Sequence, residues 1–177
     1  MENELRILDI DIDEWTKMLE NLGAIKVGYW VQKRKIYDFK PAIHNKWLRL
    51  RTNGYETTLT IKEICDNQKI DGTRELEIEV SDFDKTSCIL EELGYHARNY
   101  QENKRIRYLY NDVEIDIDTW PLLPTYVEIE GKSVSDVLNF LNLISYDESK
   151  KTTMDVESIY RRYGIDINNY PVLTFED

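Results

Sequence analysis

Four of the like-charged pairs in the sequence could form a binding site, and in each of them one residue separates the two charges. Two pairs are acidic and two are basic: Glu2 with Glu4, Glu128 with Glu130, Arg49 with Arg51, and Arg105 with Arg107. On a β-strand, residues two positions apart share a face and lie roughly 6.6–7 Å apart. Two facing acidic pairs could hold a divalent cation, and the arginine pairs could bind phosphoryl oxygens through bidentate hydrogen bonds, with Lys62 beside them.

The candidate metal ligands are all carboxylates, with no cysteine or histidine among them. Carboxylate oxygens are the preferred ligands of hard cations such as Mg²⁺ and Mn²⁺, whereas zinc favours sulfur and nitrogen. The sequence therefore predicts a magnesium or manganese site.

The elements that must position these charges are mainly strands, because charged and apolar residues alternate with a period of two. About eight such runs lie near residues 2–7, 27–37, 48–51, 58–62, 75–80, 105–108, 114–118 and 127–130. Amphipathic helices are predicted between and after them. We expect them after Asp11 or Asp13, after Asp82 or Asp84, after Ser133, and over about residues 153–163.

Each predicted strand has one apolar and one charged face, which leaves two arrangements open. If the helices pack outside the sheet, the apolar faces meet the helices and the charged faces point into a barrel. The alternative is a half-solvated sheet with its charges directed to water. Periodicity by itself favours the second arrangement, since solvated charged faces are common.

Composition excludes several classes of protein. The chain has 177 residues, which suits a single domain spanning 1–177, and a net charge of −11, which argues against a general nucleic-acid binder. No apolar run approaches the roughly 20 residues of a membrane-spanning helix, and the acidic N-terminus is unlike a signal peptide. The two cysteines lack metal-binding spacing, so we expect a reducing, cytoplasmic environment. Whether the chain forms a homodimer stays open.

Six segments, in order, resemble the conserved stretches of the CYTH superfamily, which comprises class IV adenylyl cyclases, thiamine triphosphatases and other triphosphate tunnel metalloenzymes. They are E-N-E-L-R at 2–6, W-L-R-L-R at 47–51, L-T-I-K-E at 59–63, R-E-L-E-I-E-V at 74–80, K-R-I-R-Y at 104–108 and D-T-W-P-L-L-P-T-Y-V-E-I-E-G at 118–131. The first fifty residues are most similar to the class-IV-cyclase-like branch.

This resemblance implies an α+β fold in which a closed eight-stranded antiparallel barrel, with peripheral helices, carries its charges inside. It also implies a role for each matching residue. The implied metal ligands are Glu2, Glu4, Asp118, Glu128 and Glu130, with Asp116 as a substitute for Asp118. The implied phosphate ligands are Arg49, Arg51, Lys62, Arg105, Arg107 and Lys151.

Arg6 stands where the superfamily motif has a lysine. An arginine stays protonated and can bind a phosphate, but it cannot serve as a general base. A mechanism that needs a base at this position is therefore in question, and Tyr37 and the neighbouring acids are candidate replacements.

The resemblance leaves three functions open for a small-molecule triphosphate ligand. The first is metal-dependent hydrolysis of tripolyphosphate, thiamine triphosphate or a nucleoside triphosphate, which needs nothing beyond binding of the triphosphate. The second is conversion of ATP to cyclic AMP and pyrophosphate by a class IV adenylyl cyclase. The third is a non-catalytic sensor of polyphosphate or nucleotide. Trp120 is expected to shape a turn rather than to stack on a base.

Overall fold

The computed structural model describes residues 1–175 as one antiparallel sheet with four helices around it. The longer strands are β1 (Asn3–Ile7), β2 (Ile25–Asp38), β3 (Lys46–Thr52), β4 (Thr57–Ile64), β5 (Thr73–Glu79), β6 (Ala97–Tyr110), β7 (Val113–Thr119) and β8 (Tyr126–Gly131), followed by the two-residue strands β9 (Lys151–Thr152) and β10 (Val172–Leu173). The helices are α1 (Ile12–Leu22), α2 (Phe83–Glu92), α3 (Val134–Leu141) and α4 (Val156–Arg162). None of the helices in residues 1–175 has the length and apolar character needed to span a membrane.

The helices begin where the predicted capping residues stand. The side chains of Asp11, Asp82 and Ser133 accept hydrogen bonds from backbone amides in the first turns of α1, α2 and α3, which satisfies donors that have no partner inside the helix. Gly23 ends α1 with a φ of 85°, a conformation that glycine adopts without steric cost. The predicted tail helix is shorter than expected, because Asp155 caps α4 and the chain before it is extended.

The strands follow the order β5-β4-β3-β2-β6-β7-β8-β1-β9, and β10 adds to β6 in parallel. The predicted closed eight-stranded barrel is wrong, because the sheet is an open half-barrel of nine strands along this path. The edge of β1 that does not pair with β8 contacts two other segments. Arg6 and Ile7 pair with β9, and Glu2 forms a single β-bridge to Thr73 at the start of β5. With β9 on that edge, no continuous ladder joins β1 to β5.

The apolar face of the sheet is convex and packs against the helices. Leu5, Ile115 and Ile129 are buried in one core with residues of α1 and α3. Leu48 and Leu50 are buried against Leu90 of α2 in another. The charged face is concave, and its charged side chains are buried as well, including Arg6, Lys62, Arg105 and Glu128. Of the two predicted arrangements, the one with its charges inside the curled sheet is confirmed, and the half-solvated sheet is wrong.

Candidate functional site

A cavity of about 330 Å³ lies on the concave face of the sheet, and most of the predicted site residues line it. The residues that the structure brings together there are Glu2, Glu4, Arg6, Arg49, Arg51, Lys62, Arg105, Arg107, Asp118, Glu128 and Glu130. Acids predominate on β1 and β8 and arginines on β2 and β3. The separation is incomplete, because Arg6 and Lys62 contact the acids and Glu75 and Glu77 of β5 contact Arg49. We call Glu2, Glu4, Glu128 and Glu130 on β1 and β8 the acidic wall, and Arg34, Arg49 and Arg51 on β2 and β3 the cationic wall.

Strand register builds the acidic wall. Glu4 lies directly opposite Glu130, and Arg6 lies opposite Glu128. Two carboxylates at neighbouring positions on paired strands repel each other unless a cation lies between them. The register therefore concentrates negative charge at one side of the cavity.

Arg6 partly neutralises this wall from within. Its Nη2 lies 3.1 Å from Glu4 Oε1 and 2.5 Å from Glu128 Oε2, and its Nη1 donates to the carbonyl of Met154 at 2.9 Å. Burial lowers the pKa of Arg6, but the carboxylates of Glu4 and Glu128 outweigh burial and hold this pKa above the ordinary value for arginine. Arg6 is thus a permanent cation that joins β1 and β8 to the chain before α4, and it cannot act as a base.

Lys62 supplies the second internal cation of the acidic wall. Its Nζ lies 2.9 Å from Glu2, 2.7 Å from Glu75 and 3.8 Å from Glu4. Burial, together with the charges of Glu4 and Glu75, raises the pKa of Glu2. Lys62 therefore contacts the acidic side of the cavity and not the cationic wall.

Glu130 differs from the other three acids of the wall, because within residues 1–175 no cationic side chain forms an ion pair with it. Burial and the neighbouring charges of Glu128 and Glu4 raise its pKa to about 7. A half-buried carboxylate without a counter-charge is the group in this wall most in need of an added cation.

The donor set of the acidic wall fits Mg²⁺ or Mn²⁺, because it offers only carboxylate oxygens. However, no group of three or more acids in the described chain is close enough together to form a ready metal site. Arg6 and Lys62 account for this, since they hold Glu2, Glu4 and Glu128 in ion pairs. Side chains would have to exchange these partners on binding a metal.

Arg105 forms ion pairs with three carboxylates. Its guanidinium contacts Asp116 at 2.6 Å, Asp118 at 2.6 and 2.7 Å, and Glu128 at 3.1 Å, with all four residues buried. The carboxylates raise the pKa of Arg105 against the effect of burial. Asp116 also accepts from Arg107 and does not line the cavity. The geometry indicates that Arg105 holds β6, β7 and β8 together as well as facing the cavity.

Besides Asp116, two predicted residues do not line the cavity. Tyr37 is buried on the convex face, where its hydroxyl is 3.1 Å from Ser87 Oγ of α2. Lys151 is exposed and forms an ion pair with Glu148. Alternation places Tyr37 there: Arg34 and Ile36 face the cavity, so Tyr37 faces the convex side, as does its cross-strand partner Leu48.

This placement predicts that Tyr37→Phe leaves triphosphate turnover within about twofold of wild type, because the hydroxyl contacts only Ser87. Loss of one hydrogen bond costs about 0.5–1.5 kcal/mol of stability. Steady-state kinetics and thermal melting check both expectations. A large drop in kcat at an unchanged melting temperature would contradict this prediction and show that Tyr37 contributes to turnover.

Arg34 is a cavity residue that the sequence prediction missed. It is the member of the cationic wall that β2 contributes, and it is buried with its guanidinium carbon 4.4 Å from the ring centre of Trp120. Alternation could have identified it, since Gln32, Arg34 and Ile36 share a face while Lys33 lies on the other. Trp120 is itself buried, with Arg34 over its ring and Tyr160 against it edge-on, so its face is not free to stack on a base.

An antiparallel half-barrel with charged side chains lining one interior cavity defines a tunnel-type fold, and comparison with known families agrees. The sequence profile of the CYTH domain family matches residues 1–152. The chain belongs to the CYTH domain family. A search of curated proteins found no match.

Several solved structures share the fold. The PH1012 protein of Pyrococcus horikoshii is 20% identical, with a TM-score of 0.76 over 90% of this chain and 99% of that one. A candidate adenylate cyclase of Vibrio parahaemolyticus is 13% identical, with a TM-score of 0.77 over 90% and 97%. A candidate adenylyl cyclase of Hippeastrum, described as having a dominant triphosphatase activity, is 14% identical, with a TM-score of 0.62 over 93% and 97%. At these identities the likeness establishes the fold.

Proposed function

We propose that this protein is a Mg²⁺- or Mn²⁺-dependent enzyme that hydrolyses a small-molecule triphosphate. The observation that carries the proposal is the pair of opposed walls in one cavity, with Arg34, Arg49 and Arg51 across from the four glutamates. Strand β2 is separated from β1 by β6, β7 and β8, so the two signs face each other across the cavity. A polyanion carrying a bound divalent cation has the matching distribution of charge.

The cationic wall has the chemistry to bind phosphoryl oxygens. Arg34 and Arg49 are buried and Arg51 is half-buried, and arginine forms bidentate hydrogen bonds to phosphate that are stronger than neutral ones. Repulsion from Arg49, and then burial, lowers the pKa of Arg51 to about 10. Arg49 is paired with Glu75 and Glu77, but Arg51 has only a distant carboxylate, and within residues 1–175 Arg34 forms no ion pair, so this part of the wall favours anion binding.

Hydrolysis would place few further demands on the chain. A water oxygen bonds to the terminal phosphorus, the bond from that phosphorus to the bridging oxygen breaks, and orthophosphate and the shortened product leave with release of a proton. Catalysis of this reaction rests on positioning and charge neutralisation. A bound Mg²⁺ or Mn²⁺ would be held by Glu130 with Glu2, Glu4, Glu128 and Asp118, and would polarise the phosphate oxygens. Arg49 and Arg51 would hold the phosphates, and Arg6 would keep the acidic strands in place.

The cavity supports hydrolysis of a compact substrate over cyclisation of a nucleotide. At about 330 Å³ it is near the lower end of the size range of ligand pockets. The aromatic ring beside the cationic wall, Trp120, is covered by Arg34. The CYTH fold by itself does not distinguish hydrolysis from cyclisation, since its members include both kinds of enzyme.

The test is a ³¹P NMR time course of the purified protein with Mg²⁺ or Mn²⁺ on tripolyphosphate, thiamine triphosphate and ATP in separate reactions. Orthophosphate that requires the metal would support the proposal, and the fastest substrate would identify the class. Pyrophosphate with a cyclic phosphodiester signal from ATP would replace it with an adenylyl cyclase. Binding without any product would indicate a sensor.

Arg49→Ala is expected to weaken tripolyphosphate binding about 10- to 100-fold, because one charge-assisted contact to phosphate is lost. Orthophosphate binding should change much less, since it engages fewer groups at once. Isothermal titration calorimetry with both ligands measures the two effects. The control is Arg74→Ala, which removes the same charge from an exposed side chain of β5. Equal losses for the two ligands would contradict a triphosphate site.

A further inference from the structure

Arg34 is a buried cation whose hydrogen-bond partners in the described chain are neutral amides. Its Nη2 donates to the amide oxygens of Gln32, at 3.1 Å, and Asn103. Within residues 1–175 no carboxylate lies at ion-pair distance from it, whereas Arg6, Arg49 and Arg105 each contact two or more. A buried, unpaired guanidinium costs free energy in the ligand-free protein.

The neighbours of Arg34 increase this cost. Arg34 lies directly opposite Arg51 in the pairing of β2 with β3, and like charges in that position destabilise a sheet. The nearest carboxylate to Arg51 is that of Glu77, at 3.8 Å. Burial and the charges of Arg51 and Arg49 lower the pKa of Arg34 to about 9. An anion between the two arginines would offset both penalties.

The guanidinium of Arg34 is also held in place. Trp120 lies under it at 4.4 Å, and Tyr160 packs edge-on against Trp120 with ring centres 6.3 Å apart. Asn103 accepts from Arg34 and donates to Asp118 at 3.2 Å, which links the guanidinium to the network around Arg105. A cation fixed by aromatic and amide partners is pre-organised for a ligand, because little side-chain entropy remains to be lost on binding.

We propose that Arg34, together with Arg51, binds an outer phosphoryl group of the substrate and thereby selects inorganic tripolyphosphate over triphosphate esters. The inference rests on the proposed triphosphate binding and adds to it a residue and a substrate class. Tripolyphosphate is anionic at both ends, so one end can meet the acidic wall with its metal while the other meets Arg34 and Arg51. An ester would instead bring an uncharged organic group toward the cationic pair of buried Arg34 and half-buried Arg51, where the ring of Trp120 is already covered.

The test compares wild type with Arg34→Met by isothermal titration calorimetry, using tripolyphosphate and ATP, each with Mg²⁺ and with a chelator. We expect the affinity for tripolyphosphate to fall about 10- to 100-fold, and the affinity for ATP to fall by a factor at least about tenfold smaller. The melting temperature of ligand-free Arg34→Met should equal or exceed that of wild type, because an unpaired buried charge is removed. Lys33→Met is the matched control, since it removes an exposed charge from the convex side of the same strand.

Equal losses for the two ligands, or no loss for either, would overturn the proposal while leaving triphosphate binding intact. A lowered melting temperature with unchanged affinities would assign Arg34 a purely structural role. If wild type binds neither ligand, the proposed function fails together with this inference. If Arg34→Met does not fold, Arg34→Lys replaces it in the test. Lysine keeps the positive charge but lacks the planar guanidinium that forms bidentate hydrogen bonds, so we expect this variant to lose selectivity for tripolyphosphate.

Discussion

Replacing Glu130 with glutamine is expected to lower Mg²⁺- or Mn²⁺-dependent triphosphate turnover about 100-fold or more while leaving the fold intact. Glu130 is the carboxylate of the acidic wall that no cationic side chain of the described chain engages, so its charge is available for a metal. Changing groups that merely support metal ligands costs about 10- to 100-fold, and loss of a direct ligand should cost at least as much. Steady-state kinetics across a metal titration measures the effect.

The stability of the same variant separates metal binding from folding. In metal-free protein the raised pKa of Glu130 means that the native state binds this proton more tightly than the unfolded state does. Stability should therefore decrease as the pH rises through about 7, and Glu130→Gln should reduce this dependence. The rise in melting temperature on adding Mg²⁺ should also shrink. Glu79→Gln, on the exposed end of β5, is the control. Unchanged turnover in Glu130→Gln would remove Glu130 from the metal site.

Replacing Arg105 with methionine is expected to destabilise the protein by about 3–5 kcal/mol. The change removes the arginine paired with buried Asp118, one of the two arginines paired with buried Asp116, and one of the two that contact Glu128. Uncompensated buried carboxylates must then be desolvated or protonated. Urea unfolding followed by circular dichroism gives the free energy of unfolding directly.

Two further variants show whether ion pairing is the cause. Arg107→Met should cost less, because Arg107 is more exposed and Arg105 remains beside Asp116. Adding Asp118→Asn to Arg105→Met should recover part of the stability, since it removes one orphaned charge. If Arg105→Met unfolds at the same urea concentration as wild type, Arg105 serves phosphate binding alone.

These expectations place the arginines of the cavity in two groups. Arg6 and Arg105 contact several carboxylates each and join strands, so their loss should act first on stability. Arg34 and Arg51 have few or distant counter-charges, so their loss should act first on ligand affinity. The contrast is testable within one cavity, because all four residues line it.

Much of the fold could be predicted from alternation and capping in the sequence. A period of two places Leu5, Ile115 and Ile129 on one face and their charged neighbours on the other, whatever the remaining chain does. Asp11, Asp82 and Ser133 act locally on amides a few residues away, so their roles follow from short segments. Sorting of charge by strand likewise predicted that the acidic and basic pairs would meet, because residues on one face of a curled sheet share its interior.

The tertiary structure decided what depends on contacts between residues distant in sequence. The barrel stays open because β9, about 145 residues after β1, pairs with part of the edge of β1. Arg6 pairs with Glu128, and Arg105 pairs with three carboxylates, whereas Arg34 forms no ion pair in residues 1–175. Local pattern sets which face a side chain occupies, but the ion partner it finds there depends on strand order, register and depth, and these are properties of the whole sheet.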